Sequence, residues 1–431
     1  MTGPKQLLIH MGGRLMGKLR QDPHGRLSFS YDQQWRVARS ATPLSLSMPL
    51  TRVEHPHAVV DPFVRGLLPD SDRVLQRWGR QFGVSPNSPF ALLTHVGEDV
   101  AGAAQFIRPD RVEQADADGG IEPVDDAYIA RRLRALGSDR SAWDDFAAPG
   151  QFSLAGAQAK FALYRSSDGQ WGLPTGRTAT THILKPPLEH LADQEINEHL
   201  CLRAASKLGL RSALSQVMTF DGEPAIVLTR YDRVIRPDGS VTRVHQEDFC
   251  QALAVHPDRK YERQDGGPGA VAIVDLLRRV QPPSVAAASI ETFSKALAYN
   301  WVIYGPDAHA KNYALLLSGP QVALAPLYDI SSTAPYPDRF DPRHMAMAMG
   351  IGGKYENALV TSDDWRGMAV KFGVAPDDLL TWVYDIVANA PDALADAVRE
   401  EGEWLTGVPV ARDLVAGVGQ SSQALLKWFR R

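Results

Sequence analysis

Cysteine is scarce in this sequence: Cys201 and Cys250 are the only two in 431 residues. Two thiols cannot staple a chain of that length, and each sits in an apolar run that reads as helical. A disulfide framework is therefore excluded, a reducing compartment fits best, and both thiols read as small buried hydrophobes. Long apolar runs are missing too. No stretch reaches the roughly 18 residues of a helical membrane span. The only apolar run between Lys5 and His10 is Leu7-Leu8-Ile9, too short for the core of a signal peptide. Nor does either sign of charge dominate, since 46 basic and 50 acidic side chains leave a net charge of −4. That excludes a polybasic nucleic-acid binder and argues against independent tight binding to DNA. A cytoplasmic protein is expected. What is present is ordinary globular composition, 44% hydrophobic and 22% charged, with core material for about three domains at roughly 150 residues each.

The first 110 residues read as short strands and turns. Gln6–Met11 is strand-like, Gly12-Gly13 turns, Leu15–Leu19 returns, and Leu27–Tyr31 continues. Seven basic residues against two acidic ones over positions 1–40 suit a solvated face or a contact with an acidic partner. Acidic residues and turn formers crowd 111–125, the signature of an exposed linker. From 126 to 240 the pattern is mixed. Phe161–Arg165, Thr181–Lys185 and Ala225–Arg230 read as strands, and Asp193 is placed to cap a helix from Gln194 to about Leu208 that Gly209 closes. Residues 241–431 read as mostly helical, with one isolated hairpin at 312–329. The expected domains are thus a β-rich N-terminal subdomain (1–110), an acidic linker (111–125), a small mixed lobe (126–240) and a larger helical lobe (241–431).

The most informative segment runs from Glu291 to Ile330. Phe293, Leu297, Trp301 and Tyr304 recur at helical spacing, and Gly305-Pro306 stops the helix. The next residues, Asp307-Ala308-His309-Ala310-Lys311-Asn312, are dense in functional groups. Two strand-like runs, Tyr313–Leu317 and Val322–Leu327, flank Ser318-Gly319-Pro320-Gln321. A tight hairpin there pairs positions whose numbers sum to about 639, which sets Asn312 opposite residue 327 with Asp329 just beyond. Asp307, Asn312 and Asp329 are thereby gathered. An amide and a carboxylate are hard oxygen donors suited to Mg²⁺ with phosphate. A second carboxylate, five residues before the amide, suits a base for an attacking hydroxyl, and D-x-x-x-x-N is the spacing of a protein-kinase catalytic loop. The bland alternative is a capped loop with local hydrogen bonds; a transition-metal site on His309 and Asp307 is another.

Kinase chemistry also demands a lysine on a small-lobe strand. Lys185 closes the run Thr181–Lys185 before Pro186-Pro187; otherwise it simply snorkels at a strand end. Glu198, above the apolar stripe of the 194–208 helix, is the better partner for it, and Glu195 the runner-up. In 153–160 the small residues Ala155, Gly156 and Ala157, with Gln158 and Lys160, suit a loop whose amides approach phosphate. It is neither a Walker A nor a G-x-G-x-x-G loop, and an ordinary turn explains it equally. The run Leu228-Thr229-Arg230-Tyr231-Asp232-Arg233 ends a strand where two kinase lobes would join and adenine would bind. There Asp232 would reach the ribose, organise Arg233, or form a surface ion pair.

Taken together, S-L-A-G-A-Q-A-K at 153–160, K-P at 185–186, N-E-H-L-C at 197–201, L-T-R-Y-D-R at 228–233, H-Q-E-D-F-C-Q-A-L at 245–253, D-A-H-A-K-N at 307–312 and Y-D-I at 328–330 resemble the HipA family. These are serine/threonine kinases that act as toxins of bacterial toxin–antitoxin pairs. The resemblance covers nearly the whole chain. It implies an α+β, protein-kinase-like two-lobed fold with an extra N-terminal β-rich subdomain and a mostly helical C-terminal lobe. It further implies ATP and Mg²⁺ as cofactors, Asp307 as base, Asn312 and Asp329 as metal ligands, and Lys185 on the ATP phosphates. Ser153 matches the serine these kinases autophosphorylate to expel the phosphate loop and shut down. The implied substrate is an aminoacyl-tRNA synthetase, typically the glutamyl enzyme. The implied partner is a HipB-like helix-turn-helix antitoxin dimer, with operator DNA reached through it. Two departures stand out: Ala159 replaces a larger loop residue, and Ile-Ser follows Asp329 where eukaryotic kinases have Phe-Gly.

The expectation is therefore an ATP- and Mg²⁺-dependent protein kinase, with His309 and Lys311 shaping the loop or meeting phosphate. An ATP-binding co-regulator that works with a DNA-binding partner and a small-molecule phosphotransferase are the alternatives.

Overall fold

The computed structural model describes residues 5–115, 119–139, 141, 153, 155–156, 158–175, 178–405 and 407–429. Compact packing divides the chain into two units. One comprises 1–186, 218–258 and 315–322; the other comprises 187–217, 259–314 and 323–431.

The first unit is built on sheets. Strands β1 (Lys5–Met11), β2 (Arg14–Gln21), β3 (Leu27–Tyr31), β4 (Glu54–His55) and β5 (Ala104–Ile107) form one sheet in the order β4-β3-β2-β1-β5. Alternation decides which face is buried: Leu7, Ile9, Leu19, Leu27 and Phe29 point into the core, and intervening positions such as Lys18 and Ser30 pair on the other face. Gly12 and Gly13 both turn through positive φ, as the β1–β2 connection needs. A second sheet contains β6 (Ile121–Val124), β7 (Phe161–Arg165), β8 (Trp171–Pro174), β9 (His182–Lys185), β10 (Ser215–Phe220) and β11 (Glu223–Thr229), in the order β10-β11-β9-β7-β8-β6. One hydrophobic core joins the two sheets, from Leu7 and Phe29 through Phe63 and Trp78 to Phe161 and Val227.

Part of the expected acidic linker is regular structure. Ile121–Val124 is the edge strand β6, laid along β8 through Ile121–Pro174 and Val124–Trp171 pairs. Its charges and Pro123 are those tolerated at a sheet edge, which explains why composition hid it.

Beyond β12 (Arg233–Ile235) and β13 (Val241–Arg243), β14 (His245–Asp248) joins β15 (Ala314–Ser318) and β16 (Gln321–Leu324) in a three-stranded sheet. The hairpin at 312–329 is therefore not isolated. A further hairpin, β17 (Ala346–Ile351) with β18 (Lys354–Glu356), also interrupts the helical region. Its Met-Ala alternation favours helix by propensity, and the positive φ of Gly352 and Gly353 is what turns it into a hairpin.

Helices dominate the second unit. The 26-residue helix Pro376–Glu401 packs against Gln194–Lys207, Pro283–Val302, Ser362–Phe372 and Pro409–Leu426. Asp193 does precede the 194–207 helix, but it sits at φ 52° and its side chain makes no cap hydrogen bond. Among the described residues, no helix is long and apolar enough to cross a membrane.

Candidate active site

In the second unit, the helix Pro283–Val302 ends in a tight turn. Tyr304 adopts φ 53°, and the Gly305 amide returns to the Asn300 carbonyl at 2.8 Å. A Cβ on Gly305 would lie 2.5 Å from Asn300 Oδ1. Asn300 cannot yield, because its amide nitrogen bonds the Ala296 carbonyl and the Tyr313 hydroxyl. Glycine is thus demanded where the chain leaves the helix and presents Asp307.

The 307–312 loop closes on itself. Asn312 Nδ2 donates to the Asp307 carbonyl at 2.6 Å, and the His309 amide donates to the same oxygen at 2.8 Å. The Asp307 side chain stays 58% exposed. Its Oδ1 accepts a hydrogen bond from the Tyr261 hydroxyl and lies 3.7 Å from His309 Nε2. His309 and Lys311 are both buried.

The predicted register holds at Ala314 and Ala325 and fails beyond them. Ala325 donates to the Ala314 carbonyl at 2.9 Å, a pair summing to 639. Leu327, however, bonds the 211–213 segment through Leu327 N–Arg211 O and Ala213 N–Leu327 O, both 2.8 Å. Asn312 is not its ladder partner, because Ala310–Asn312 forms a 3₁₀ turn and its backbone is not extended. Side-chain bonding replaces the ladder: the Tyr328 hydroxyl donates to the Lys311 carbonyl at 2.6 Å. The residues just before Asp329 and Asn312 are thereby joined directly.

Asp329 itself adopts φ 51°, a left-handed conformation costing a non-glycine residue about 1 kcal/mol or more. The segment after it is over-determined. Ser332 donates to the Ile303 carbonyl at 2.5 Å, and Thr333 Oγ1 to the Tyr304 carbonyl at 2.9 Å. Asn197, fully buried, grips Ser332 at both backbone groups: Asn197 Nδ2 to Ser332 O at 2.7 Å and Ser332 N to Asn197 Oδ1 at 3.1 Å. Sequence reading missed Tyr261 and Asn197. The N-E-H-L-C string contains Asn197, and nothing local in it reveals that this side chain anchors a loop 135 positions away.

The donor set fits a magnesium ion. Asn312 commits its amide nitrogen to the Asp307 carbonyl, which turns its oxygen away from that bond, and Asp329 would supply a carboxylate. Among the described residues, no group of three or more His, Cys, Asp or Glu side chains is arranged to hold a metal. A hard cation completing its shell with phosphate oxygens and water needs no such cage, whereas a transition-metal site on His309 and Asp307 would.

In the first unit, Lys185 ends β9, buried, with Ile226 of β11 beside it. Leu228 and Thr229 pair with Ile183 and His182 in the same ladder. Ser153 is fully buried. Its amide donates to the Asp99 carbonyl at 3.0 Å and its hydroxyl to the Leu67 carbonyl at 2.8 Å. Gly156, at φ 109°, bridges to Pro69, and its carbonyl accepts the Asp70 amide at 3.1 Å. The loop thus rests on the 67–70 turn, which sequence reading did not single out. Lys160 is buried, and Ala155 and Gln158 are half-buried. Ala157 and Leu154 lie outside the described residues.

The cluster at 230–233 departs from expectation. Arg230 makes two bonds to Asp232, at 3.0 and 2.9 Å. Asp232 Oδ2 also accepts the Gly102 amide at 2.7 Å and lies 2.9 Å from Arg233. Arg233 reaches Asp99 at 2.8 Å, and Arg243 reaches it at 3.2 Å. Burial acts to raise the Asp99 carboxyl, and Arg233, Arg230 and Arg243 overcome it, holding the group well below its ordinary range. The expected surface ion pair is therefore a buried network, in which Asp232 organises Arg233. Both Asp232 oxygens are engaged there. Tyr231 is half-buried, its hydroxyl directed to Gln246.

Of the two candidate glutamates on the 194–207 helix, both are buried. Burial pushes the Glu195 carboxyl above its usual value, and one of its oxygens has no hydrogen-bond partner.

Comparison with known proteins decides the family. The HipA N-terminal domain matches residues 7–107, and the HipA-like C-terminal domain matches residues 152–394. The chain belongs to the HipA family. Y4mE of Sinorhizobium fredii, a candidate kinase, is 38% identical over 91% of this chain and 90% of its own. The serine/threonine-protein kinase toxin HipA of Shewanella oneidensis is 26% identical over 91% of this chain and 89% of its own. In fold, the chain is similar to the Shewanella oneidensis HipA solved with HipB and operator DNA. The TM-score is 0.84 at 23% identity, covering 98% of each chain. This HipA-family member is a protein serine/threonine kinase, the toxin component of a HipA/HipB-type toxin–antitoxin system. Its mixed fold, β-rich at the N-terminus and helical toward the C-terminus, is the HipA-like kinase fold.

Proposed function

We propose that this HipA-family kinase uses ATP and Mg²⁺ to phosphorylate a serine of an aminoacyl-tRNA synthetase, of the glutamyl type by family resemblance, and silences itself by autophosphorylating Ser153. What supports the reading is the closed 307–312 loop, in which the Asn312 amide bonds the Asp307 carbonyl and the Asp307 carboxylate stays exposed, with Tyr328, the residue before Asp329, bonded to the Lys311 carbonyl. Asp307 accepts the proton of the substrate serine hydroxyl as that oxygen attacks the γ-phosphorus. Asn312 and Asp329 would hold Mg²⁺, which supplies charge neutralisation on the phosphates. Lys185 contacts the ATP phosphates, steadied by Glu198 or Glu195. The backbone of Ala155, Gly156 and Gln158, with Lys160, covers the phosphates. The Leu228–Tyr231 backbone is the proposed adenine contact.

The position of the Ser153 hydroxyl bears on what a phosphate there would do. A buried oxygen bonded to Leu67 has no room for a phosphate, so the modified residue cannot keep this place. The loop would then leave its seat on residues 67–70. For partners, we infer a HipB-like helix-turn-helix antitoxin dimer, with operator DNA contacted through it. The Shewanella oneidensis HipA, of like fold, was solved in such a complex.

The test is transfer of labelled γ-phosphate to a panel of bacterial aminoacyl-tRNA synthetases. Asp329→Ala should keep its circular-dichroism spectrum and lose transfer by orders of magnitude. Near-normal transfer by that variant removes Asp329 from the site.

A further inference from the structure

Tyr261 stands 46 positions before Asp307, outside every motif that carries the family resemblance. Its hydroxyl nevertheless donates to Asp307 Oδ1, and its ring meets His309 edge-on, with centroids 4.8 Å apart at 83°. The backbone around it is fixed independently. Tyr261 N bonds Asp265 Oδ2 at 3.3 Å, and the Tyr261 carbonyl accepts the amides of Asp265 and Gly267 at 3.2 and 3.0 Å. A Cβ on Gly267 would lie 2.0 Å from the Arg259 carbonyl, so that turn admits only glycine. The Lys260 carbonyl in turn accepts the Ala310 amide at 3.4 Å. A short rigid loop therefore lies along the catalytic loop and touches it at three points: Asp307, His309 and Ala310.

We propose that Tyr261 is a positioning residue for phosphoryl transfer, its hydroxyl holding one oxygen of Asp307 so that the other meets the substrate serine. The proposal rests on the reading of Asp307 as the base. An exposed aspartate rotates freely about its two side-chain torsions, and only some of those rotamers set an oxygen against an incoming hydroxyl. Anchoring Oδ1 to Tyr261, with the phenol fixed against His309, removes that freedom before substrate arrives. In the transfer step the serine O–H bond breaks and its proton passes to Asp307 Oδ2. The serine oxygen bonds the γ-phosphorus. The bond from that phosphorus to the β,γ-bridging oxygen breaks, its electron pair leaving with ADP.

The experiment compares Tyr261→Phe, Tyr261→Ala and Asp307→Asn in the full chain. Each is assayed for transfer of labelled γ-phosphate to a protein substrate at varied ATP, with folding followed by circular dichroism. Phe keeps the ring against His309 and deletes only the donor. We expect Tyr261→Phe to lower kcat by about tenfold while KM for ATP stays within about twofold, as misorientation of a reacting group does. Tyr261→Ala should do no better. If Phe matches the native enzyme in kcat and KM while Asp307→Asn is inactive, the hydroxyl has no positioning role and the proposal falls alone. A rise in KM for ATP with kcat preserved would equally overturn it. An active Asp307→Asn enzyme removes the base reading and this proposal together.

Discussion

At the scale of single residues, polar side chains that sequence reading left aside hold the site. Asn197 mimics a peptide group against Ser332, donating to its carbonyl and accepting from its amide. That pairing fixes the chain just after the left-handed Asp329, where a relaxed backbone would move the carboxylate. Ser153 has the opposite character: its one hydroxyl bond, to Leu67 O, is buried and must break if the residue is to be modified. Ser153→Ala should lose about 1–3 kcal/mol of stability, because the Leu67 carbonyl is left without a donor; a urea titration reads this. The same variant should keep its transfer rate after long preincubation with ATP, whereas the native kinase loses activity as phosphate accumulates. Equal loss in both would end the Ser153 account.

At the scale of elements, the loops matter more than the strands and helices that hold them. The 153–160 loop has few small residues to spare, and Gly156 is the one with a stringent requirement. Its φ of 109° is open mainly to glycine, and a Cβ would lie 2.6 Å from Lys160 Nζ. Gly156→Ala should raise KM for ATP more than it lowers kcat, with about 1–3 kcal/mol of stability lost to strain. Steady-state kinetics with denaturant melts checks both. The hairpin β15–β16 was readable from Tyr313–Leu317, Gly319-Pro320 and Val322–Leu327, and its register from the loop length. Its far end was not readable. The backbone groups of Leu327 are taken by residues 211–213, and competition between distant strands leaves no trace in local alternation.

At the scale of the molecule, each unit has its own cohesion. The first is tied by a shared apolar core and by the buried Asp99–Arg230–Asp232–Arg233–Arg243 network. Residues 99–102 and 230–243 are far apart in the chain, and arginines joining them act as a clamp only while all members remain. Removing one leaves uncompensated buried charge. Arg233→Ala should therefore cost about 3–5 kcal/mol in chemical denaturation, far more than a surface arginine. An effect under about 1 kcal/mol, the surface-pair range, would show the network to be solvated. Because Ser153 N bonds the Asp99 carbonyl, the same clamp holds the start of the 153–160 segment.

Sequence alone determined which groups are candidates for the chemistry: a carboxylate, an amide and a second carboxylate at 307, 312 and 329, a lysine closing a strand at 185, and a small-residue loop after Ser153. These are local facts, since residue type, spacing and turn residues are written along the chain. Only the tertiary structure decided what holds those groups. Tyr261 against Asp307, Asn197 against Ser332, Leu67 and Asp70 against Ser153 and Gly156, and Asp232 against Gly102 in a buried ion network each pair residues from 46 to 135 positions apart. Hydrogen bonds across such separations follow no helical or strand period. They form only after apolar burial has brought the elements together, so no pattern in the sequence announces them.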